Sequence, residues 1–484
     1  LSRQNNDGFI ALRQQYFNTN QRQRMKENIR LWSILAVVLV ADMLDMLDST
    51  ITNVAAPMIS KTLGGGQELM QWLGAGYALT MGVLLVVGGR LGDKYGQRKL
   101  FLIGMGGFTL ASIACGLAVS PQMIIIARLV QGAFGALLIP QGMAIMAAHF
   151  PREMMTRAFS VFGPVLSIAT ICGPILAGFL IHADIFHSGW RAIFLINLVT
   201  GTLGFIAAYK ILPKDKEQKD VSIDSIGAIL LGAMMLSLLY GIIEGSANNW
   251  QQRSVFIILS GVVLAAFFIW RQAKADNPII EPTLFRNRGF CAGLLLGFFF
   301  FGVVAGLTYL ISLFLQLGLG ATPFGASIQM VPLSIGIIIS SILTPPLIER
   351  TGRNIVGIGL IIILVGLGIM FYQLTLDVSN PWAFMPAIFL MGSGMGFCFG
   401  TLFDFTIGDI NPEEAGSASG SLSAVQQLSS SIGAAAITSV FFIAQKYGSV
   451  NFSMERSFIV IVVAIVLCLS LMRLLPVKKG DAEH

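Results

Sequence analysis

The run WSILAVVLVADMLDMLDSTITNVAAPM, residues 32–58, opens with ten residues of which only Ser33 is polar, then places Asp42, Asp45 and Asp48 at three-residue intervals. An apolar stretch of about 20 residues is what a helix needs to cross a bilayer. At roughly 100° per residue the three carboxylates lie within about 120° on one face, stacked over roughly 9 Å of rise. A helix that is apolar elsewhere and carries such a stripe belongs inside a membrane bundle, with its acids turned away from lipid.

The rest of the chain agrees. Its 484 residues are 55% hydrophobic and only 12% charged, with a mean hydropathy of +0.76. A soluble chain would carry about a quarter charged residues, so a soluble, disordered, fibrous or disulfide-scaffold protein is excluded. About fourteen apolar runs can be drawn, near 32–58, 70–90, 98–119, 122–147, 156–182, 190–212, 225–245, 253–272, 289–315, 322–348, 354–375, 381–407, 416–445 and 455–475. Many of the 53 glycines and 17 prolines sit inside these runs, where small residues allow close helix contact. The expected fold class is an all-α polytopic membrane protein.

Charge placement orients it. With an even number of spans both termini share one side. If that side is cytoplasmic, 25 of the 31 Lys and Arg residues lie in inside segments. Lys61, Arg191, Arg253, Lys446 and Arg456 lie outside, and Arg128 is within a span. The positive-inside rule therefore predicts both termini in the cytoplasm, in the inner membrane of a bacterium. The net charge of +6 is scattered among short loops rather than gathered in a stripe, which argues against a nucleic-acid partner. Cys115, Cys172, Cys291, Cys398 and Cys468 fall singly in apolar segments, so neither a disulfide framework nor a metal is expected. The first 30 or so residues are polar and lack the apolar core of a cleavable signal, and Met25 is a candidate native start.

A weak repeat organises the spans. Gly89-Arg90-Leu91-Gly92-Asp93-Lys94-Tyr95-Gly96-Gln97-Arg98-Lys99 follows span 2, and Pro346-Leu347-Ile348-Glu349-Arg350-Thr351-Gly352-Arg353 follows span 10. An acid, a base and a glycine followed by a base recur, as in carriers built from two related halves. Spans 7 and 8 then become an insert in a 6 + 2 + 6 plan. The expected domains are a polar tail (1–31), an N-terminal six-helix half (32–212), a linker with two extra helices (213–272), a C-terminal half (273–475) and a short tail (476–484).

The 89–99 loop resembles the best-known signature of the major facilitator superfamily. Leu47-Asp48-Ser49-Thr50-Ile51-Thr52-Asn53-Val54-Ala55-Ala56-Pro57 resembles that of its fourteen-span drug:proton antiporter branch, with Ala56 in place of the usual leucine. Ala127-Arg128-Leu129-Val130-Gln131-Gly132 is a further match, and Gly173-Pro174-Ile175-Leu176-Ala177-Gly178 is similar to the antiporter motif. Trp190-Arg191 followed by Asn197 resembles the branch signature at span 6, with Ala192 and Val199 where tryptophan and proline are usual. The resemblance covers residues 30–475 and says little about substrate. It implies a conformational latch at Gly89, Gly92, Asp93, Gly96 and Arg98, and antiporter-motif roles for Gly173, Pro174 and Gly178. Physically, Gly92 and Gly96 permit a tight turn, while Asp93 could cap the following backbone or pair with a base.

The intramembrane charges carry the chemistry. Desolvation and mutual repulsion keep three stacked acids from all being ionised, so at least one of Asp42, Asp45 and Asp48 is expected to exchange a proton; Asp48, which matches the motif, leads. Arg128 needs an acidic or carbonyl partner, and its depth in span 4 makes Asp48 reachable; the resemblance implies a proton-coupling role for it. Asp404 on span 12 is the counterpart of span 4 in the second half and is expected near the central cavity. Glu244, in the insert, is expected to be structural. Phe298–Phe301, Phe397, Phe399, Phe403 and Phe405, with Met43 and Met46, could furnish an adaptable wall for lipophilic cations, although only a minority should reach the cavity. The sequence holds no phosphate-binding loop, and Gly392-Ser393-Gly394-Met395-Gly396 reads as helix packing.

The expected protein is a monomeric secondary transporter rather than an enzyme, with no cofactor and driven by the proton gradient. Its partners are protons, membrane lipids and a small-molecule substrate, amphipathic and by preference cationic, exported by alternating access. An exporter dedicated to one metabolite, such as a siderophore, antibiotic or lipid precursor, is the alternative. A non-transporting membrane sensor or scaffold is a third, disfavoured because it needs no intramembrane carboxylates.

Overall fold

Helix starts are written into the sequence as Ser, Thr, Asp or Asn, with proline following in two of the five cases below. Ser120 accepts a bond from Met123 N at 3.2 Å, Asp224 from Gly227 N at 3.0 Å and Asn287 from Phe290 N at 3.1 Å. Thr322 and Ser449 act alike, with Pro121 and Pro323 preset for the first turn. The computed structural model describes residues 2–184, 187–214, 224–248, 250–275, 278–279, 283–407, 410 and 415–475.

Among the described residues there are fourteen α-helices. They are α1 (Ser2–Leu63), α2 (Gly66–Tyr95), α3 (Gln97–Gly116), α4 (Pro121–His149), α5 (Arg152–Ala183), α6 (Ala192–Ile211) and α7 (Ser225–Ala247). Then come α8 (Gln252–Lys274), α9 (Arg288–Leu313), α10 (Pro323–Thr351), α11 (Asn354–Thr375), α12 (Met385–Ile407), α13 (Ala415–Gln445) and α14 (Val450–Leu471). Eleven are long and apolar enough to cross a membrane, and a twelfth if α2, bent by 49° between Leu85 and Val87, is one span. The chain is an integral membrane protein. The fourteen expected spans thus become eleven or twelve on length and composition. Asp42, Asp45 and Asp48 keep α1 from qualifying as an apolar span, and of α5 only Cys172–Ala183 forms a short apolar helix. Residues 2–31, expected to be a separate tail, continue α1 without a break.

Pairings repeat along the chain. Among the first six helices α2 and α3 pack on α4, α3 on α6, and α1 on α5 and α6. The same pattern returns as α10 and α11 on α12, α11 on α14, and α9 on α13 and α14. The two loops that suggested a repeat match in detail. Gly96 (φ 92°) ends α2 with its N–H on Gly92 O at 2.8 Å, and Gly352 (φ 53°) ends α10 with its N–H on Ile348 O at 2.9 Å. Both need the left-handed conformation that glycine adopts freely. Arg98 then donates to Tyr209 O at the end of α6, and Arg353 donates to Leu475 O at 2.6 Å just beyond α14.

Contacts sort the loops into two ends. The basic end holds the turn at Gly96, the Arg98–Tyr209 contact and an Arg90 bond to Pro278 O at 2.7 Å. At the opposite end Arg191 donates to Ala118 O, and Lys446 to Ser246 O and Ala247 O. Helices α1–α6 meet α9–α14 mainly along α2 with α13 and α5 with α10. The hydrogen bonds across this seam lie toward the opposite end: Gln71 Nε2 to Ser439 Oγ at 2.9 Å, Ser431 Oγ to Ala75 O at 2.9 Å and Gln316 Nε2 to Val54 O at 3.1 Å. Backbone approach needs small residues here, as a Cβ at Gly178 would strike the Phe324 backbone. Gly392 and Gly396 likewise lie against the α10 backbone and Gly394 against Gly359 of α11, so that cluster is helix packing.

Helices α7 and α8 pair with each other and rest on α2 and α13 through α7. The hairpin is pinned at one end by Asp224 and Arg271 (3.1 Å) and at the other by the buried Glu244 and Arg253 (3.5 Å).

Gly178→Leu should leave the helices intact but hold the seam apart. Disulfide trapping between Ala75→Cys and Ser431→Cys, in a background without the native cysteines, should fall severalfold. Undiminished trapping would show that a side chain at Gly178 does not hold the seam apart.

Candidate proton and substrate site

Two α4 glycines create the site. A Cβ at Gly132 would collide with the backbone of Tyr77 and the hydroxyl of Thr80, and one at Gly135 would sit 2.6 Å from the Tyr77 hydroxyl. Their absence of side chains lets α2 lie close enough for Tyr77 to reach across to α1, where its hydroxyl donates to Asp45 Oδ1.

One turn further along α1, Asp48 is 2% exposed and Arg128 1%, and the two form a direct ion pair. Arg128 Nη1 also donates to Gln131 Oε1 at 2.8 Å. Asp48 Oδ1 accepts from Gln131 Nε2 at 2.9 Å and from Asn197 Nδ2 at 3.0 Å. Asn197 is held by Ser112 Oγ at 2.8 Å, and Ser112 in turn donates to Phe194 O at 3.1 Å. The guanidinium lies 4.6 Å from the Tyr77 ring centre and 5.8 Å from that of Phe194. A buried charge is tolerable when it is paired and most of its remaining valences are bonded; α1, α2, α3, α4 and α6 all contribute to that end, leaving Arg128 Nε without a hydrogen-bond partner among the described residues.

The three acids of one helical face thus have three different surroundings. Asp48 is fully engaged, Asp45 holds Tyr77, and Asp42 is buried with Oδ1 unbonded among the described residues. Asp404 is not part of this cluster and lies exposed on α12. Of the aromatics, Phe300, Phe301 and Phe405 are buried. Phe399 packs on Phe300 and Phe301 at ring distances of 5.6 and 5.7 Å, a core contact and not an open wall. Met43 and Met46 are half-buried.

Two residues of the expected latch, Gly89 and Gly92, face α4. Gly92 faces the Gln141 amide, whose nitrogen donates to Gly88 O at 2.6 Å, and a Cβ at Gly89 would sit 3.7 Å from Pro140. Among the described residues Asp93 neither caps the backbone nor meets a base: it is exposed and accepts from Gln97 Nε2 at 3.5 Å, because the following helix starts at once and presents Gln97 one turn on. In the antiporter motif Gly173 packs against Thr50 of α1, Pro174 is half-buried beside it, and Gly178 meets α10.

Tyr77 is the member that sequence reading missed, since nothing in a lone tyrosine between alanine and glycine marks it. Gln131, one turn after Arg128, and Asn197 stood in recognised motifs, but their roles as ligands of Asp48 required the packed helices.

The chain belongs to the Major Facilitator Superfamily, whose profile matches residues 38–434. It is 38% identical over 420 residues to the "Probable actinorhodin transporter" of Streptomyces coelicolor, covering 85% of this chain and 73% of that one. It is 31% identical to "Multidrug resistance protein Stp" of Mycobacterium tuberculosis (81% and 73% covered) and 30% to the "Tetracenomycin C resistance and export protein" of Streptomyces glaucescens (84% and 75%). The fold is similar to those of a D-xylose-proton symporter (TM-score 0.64, 13% identity, 93% and 99% covered) and the human organic anion transporter MFSD10 (0.63, 14%, 91% and 99%). The chain is a membrane transporter of this superfamily.

Arg128→Met should lower stability by about 3–5 kcal/mol by stranding Asp48 in the interior. The double variant Asp48→Asn with Arg128→Met should recover most of that loss. Thermal unfolding in detergent reads both, and equal losses in the single and double variants would contradict the pairing.

Proposed function

We propose that this chain is a proton-coupled antiporter that exports amphipathic small molecules by alternating access. The observation carrying this reading is the Asp48–Arg128 pair: a titratable acid and its counter-ion, buried at membrane depth and joining α1 to α4. Intramembrane ionisable pairs of this kind serve as proton relays in transporters. A proton added to a carboxylate oxygen of Asp48 cancels its charge. Arg128 is then left with the Gln131 carbonyl and two ring faces, and the tie between α1 and α4 loosens. Export relatives support the direction of transport.

The reading places both termini and the basic end in the cytoplasm, where 25 bases gather. It takes all fourteen helices as spans in a 6 + 2 + 6 plan, with halves 32–212 and 273–475 flanking the 213–272 linker. The repeated helix pairings and the α7–α8 hairpin support that plan. The seam bonds lie toward the outer end, which fits a transporter whose open side is cytoplasmic.

Asp48 is engaged by Arg128, so a cationic substrate would not compete with the proton for that carboxylate directly. Preference for cations would rest on the exposed Asp404 and the half-buried Met43 and Met46. Relatives named for single compounds favour the second reading, an exporter of one metabolite.

In proteoliposomes, acid outside should drive export of ethidium, and Asp48→Asn should abolish the proton-driven part while leaving insertion unchanged. Full proton-driven export by that variant would overturn the coupling assignment. Tyr77→Phe should retain folding and reduce coupling severalfold, as Asp45 loses its donor. Competition by tetraphenylphosphonium separates the substrate readings, since a dedicated exporter ignores it.

A further inference from the structure

Away from the transport site, α3 and the end of α6 enclose an open groove of about 680 Å³ at the basic end. Its floor is apolar, made by Leu102, Ile103, Leu110 and Phe205, with Ile103 and Leu110 45% and 69% exposed. Gly106 deepens it by lacking a side chain that would face Phe205. Its mouth carries Arg98, Lys99 and Lys214, and among the described residues no acidic side chain lines it. Arg98 is fixed there by its 2.5 Å bond to Tyr209 O and its position 5.3 Å over the Tyr209 ring. Three cations at one end of an apolar trough match a molecule with an anionic head and a hydrocarbon tail. Basic pockets between membrane helices bind such lipid headgroups.

We propose that this groove binds one anionic phospholipid, its phosphate on Arg98, Lys99 and Lys214 and an acyl chain along α3. The bound lipid would touch Tyr95 and Gly96, the turn that ends α2, and so bear on the latch loop. This inference does not depend on which compound is transported.

The test titrates detergent-purified, delipidated protein with phosphatidylglycerol or phosphatidylcholine and counts bound lipid by native mass spectrometry. One phosphatidylglycerol should be retained in preference to phosphatidylcholine by about tenfold. Lys99→Gln with Lys214→Gln should remove the preference. Gly106→Leu should remove retention altogether, because a Cβ there makes only ordinary contact with Phe205 at 3.5 Å and the longer side chain fills the trough. Lys274→Gln, outside the groove, should change nothing. Unchanged melting of each variant keeps the comparison valid, and a misfolded Gly106→Leu leaves the double lysine variant to decide. Equal retention of both lipids, or undiminished phosphatidylglycerol binding in the variants, would overturn the proposal. So would displacement of the lipid by millimolar inorganic phosphate with Gly106→Leu unaffected, which would mark a soluble-anion site.

Discussion

A guanidinium and a carboxylate withdrawn from water within a membrane helix bundle set the terms for the first six helices. Neither Asp48 nor Arg128 could be buried alone, and together they still leave lone pairs and N–H groups that must be met. The amides of Gln131 and Asn197 meet them from α4 and α6, and Ser112 of α3 steadies Asn197. Tyr77 closes the remaining side with its ring face and reaches Asp45 with its hydroxyl. For this to fit, α2 and α4 must cross at close range, which explains glycine at 132 and 135. A buried pair of this sort adds little stability over a well-packed apolar pair. On the proposed reading its value is that it has two states, paired and unpaired, separated by one proton.

Much of the fold was legible because membrane helices announce themselves by length and apolarity. Apart from the start of α1, the runs drawn from sequence fall within about five residues of the helix ends, and capping residues and glycines explain several of them. The repeat was legible from the two basic loops, whose arginines reach corresponding places, Tyr209 at the end of α6 and Leu475 beyond α14. The site was legible as a set of charges out of place. Their partners were not, because spacing along α1 says that Asp42, Asp45 and Asp48 share a face but cannot say what other helices bring to each depth. The role of Asp93 was not legible for the same reason: a residue's type gives its capacity, and neighbours decide which capacity is used.

On the proposed 6 + 2 + 6 plan the α7–α8 hairpin is an insert, and its contacts show how it is accommodated. Its ion pairs at both ends are internal, so it holds its own shape, and it touches the bundle through α7. At the end bearing Lys446 it is tied to α2 and α13 together: Gln67 and Lys446 both donate to the Ser246 carbonyl, and the Ser246 hydroxyl donates to Gln71. The insert therefore bridges the two helices whose separation would open that face.

The seam joining α1–α6 to α9–α14 is made, in its hydrogen bonds, from hydroxyls, carboxamides and main-chain carbonyls. A boundary of neutral dipoles can part and reform with little electrostatic friction, each group exchanging one modest bond for another with water. Among the described residues no ion pair crosses this seam, whereas a buried one lies inside the first half. On the proposed reading, dissolved salt would therefore have little leverage over the swing of the two halves, and the ion that governs the motion would be the one small enough to enter the protein's interior.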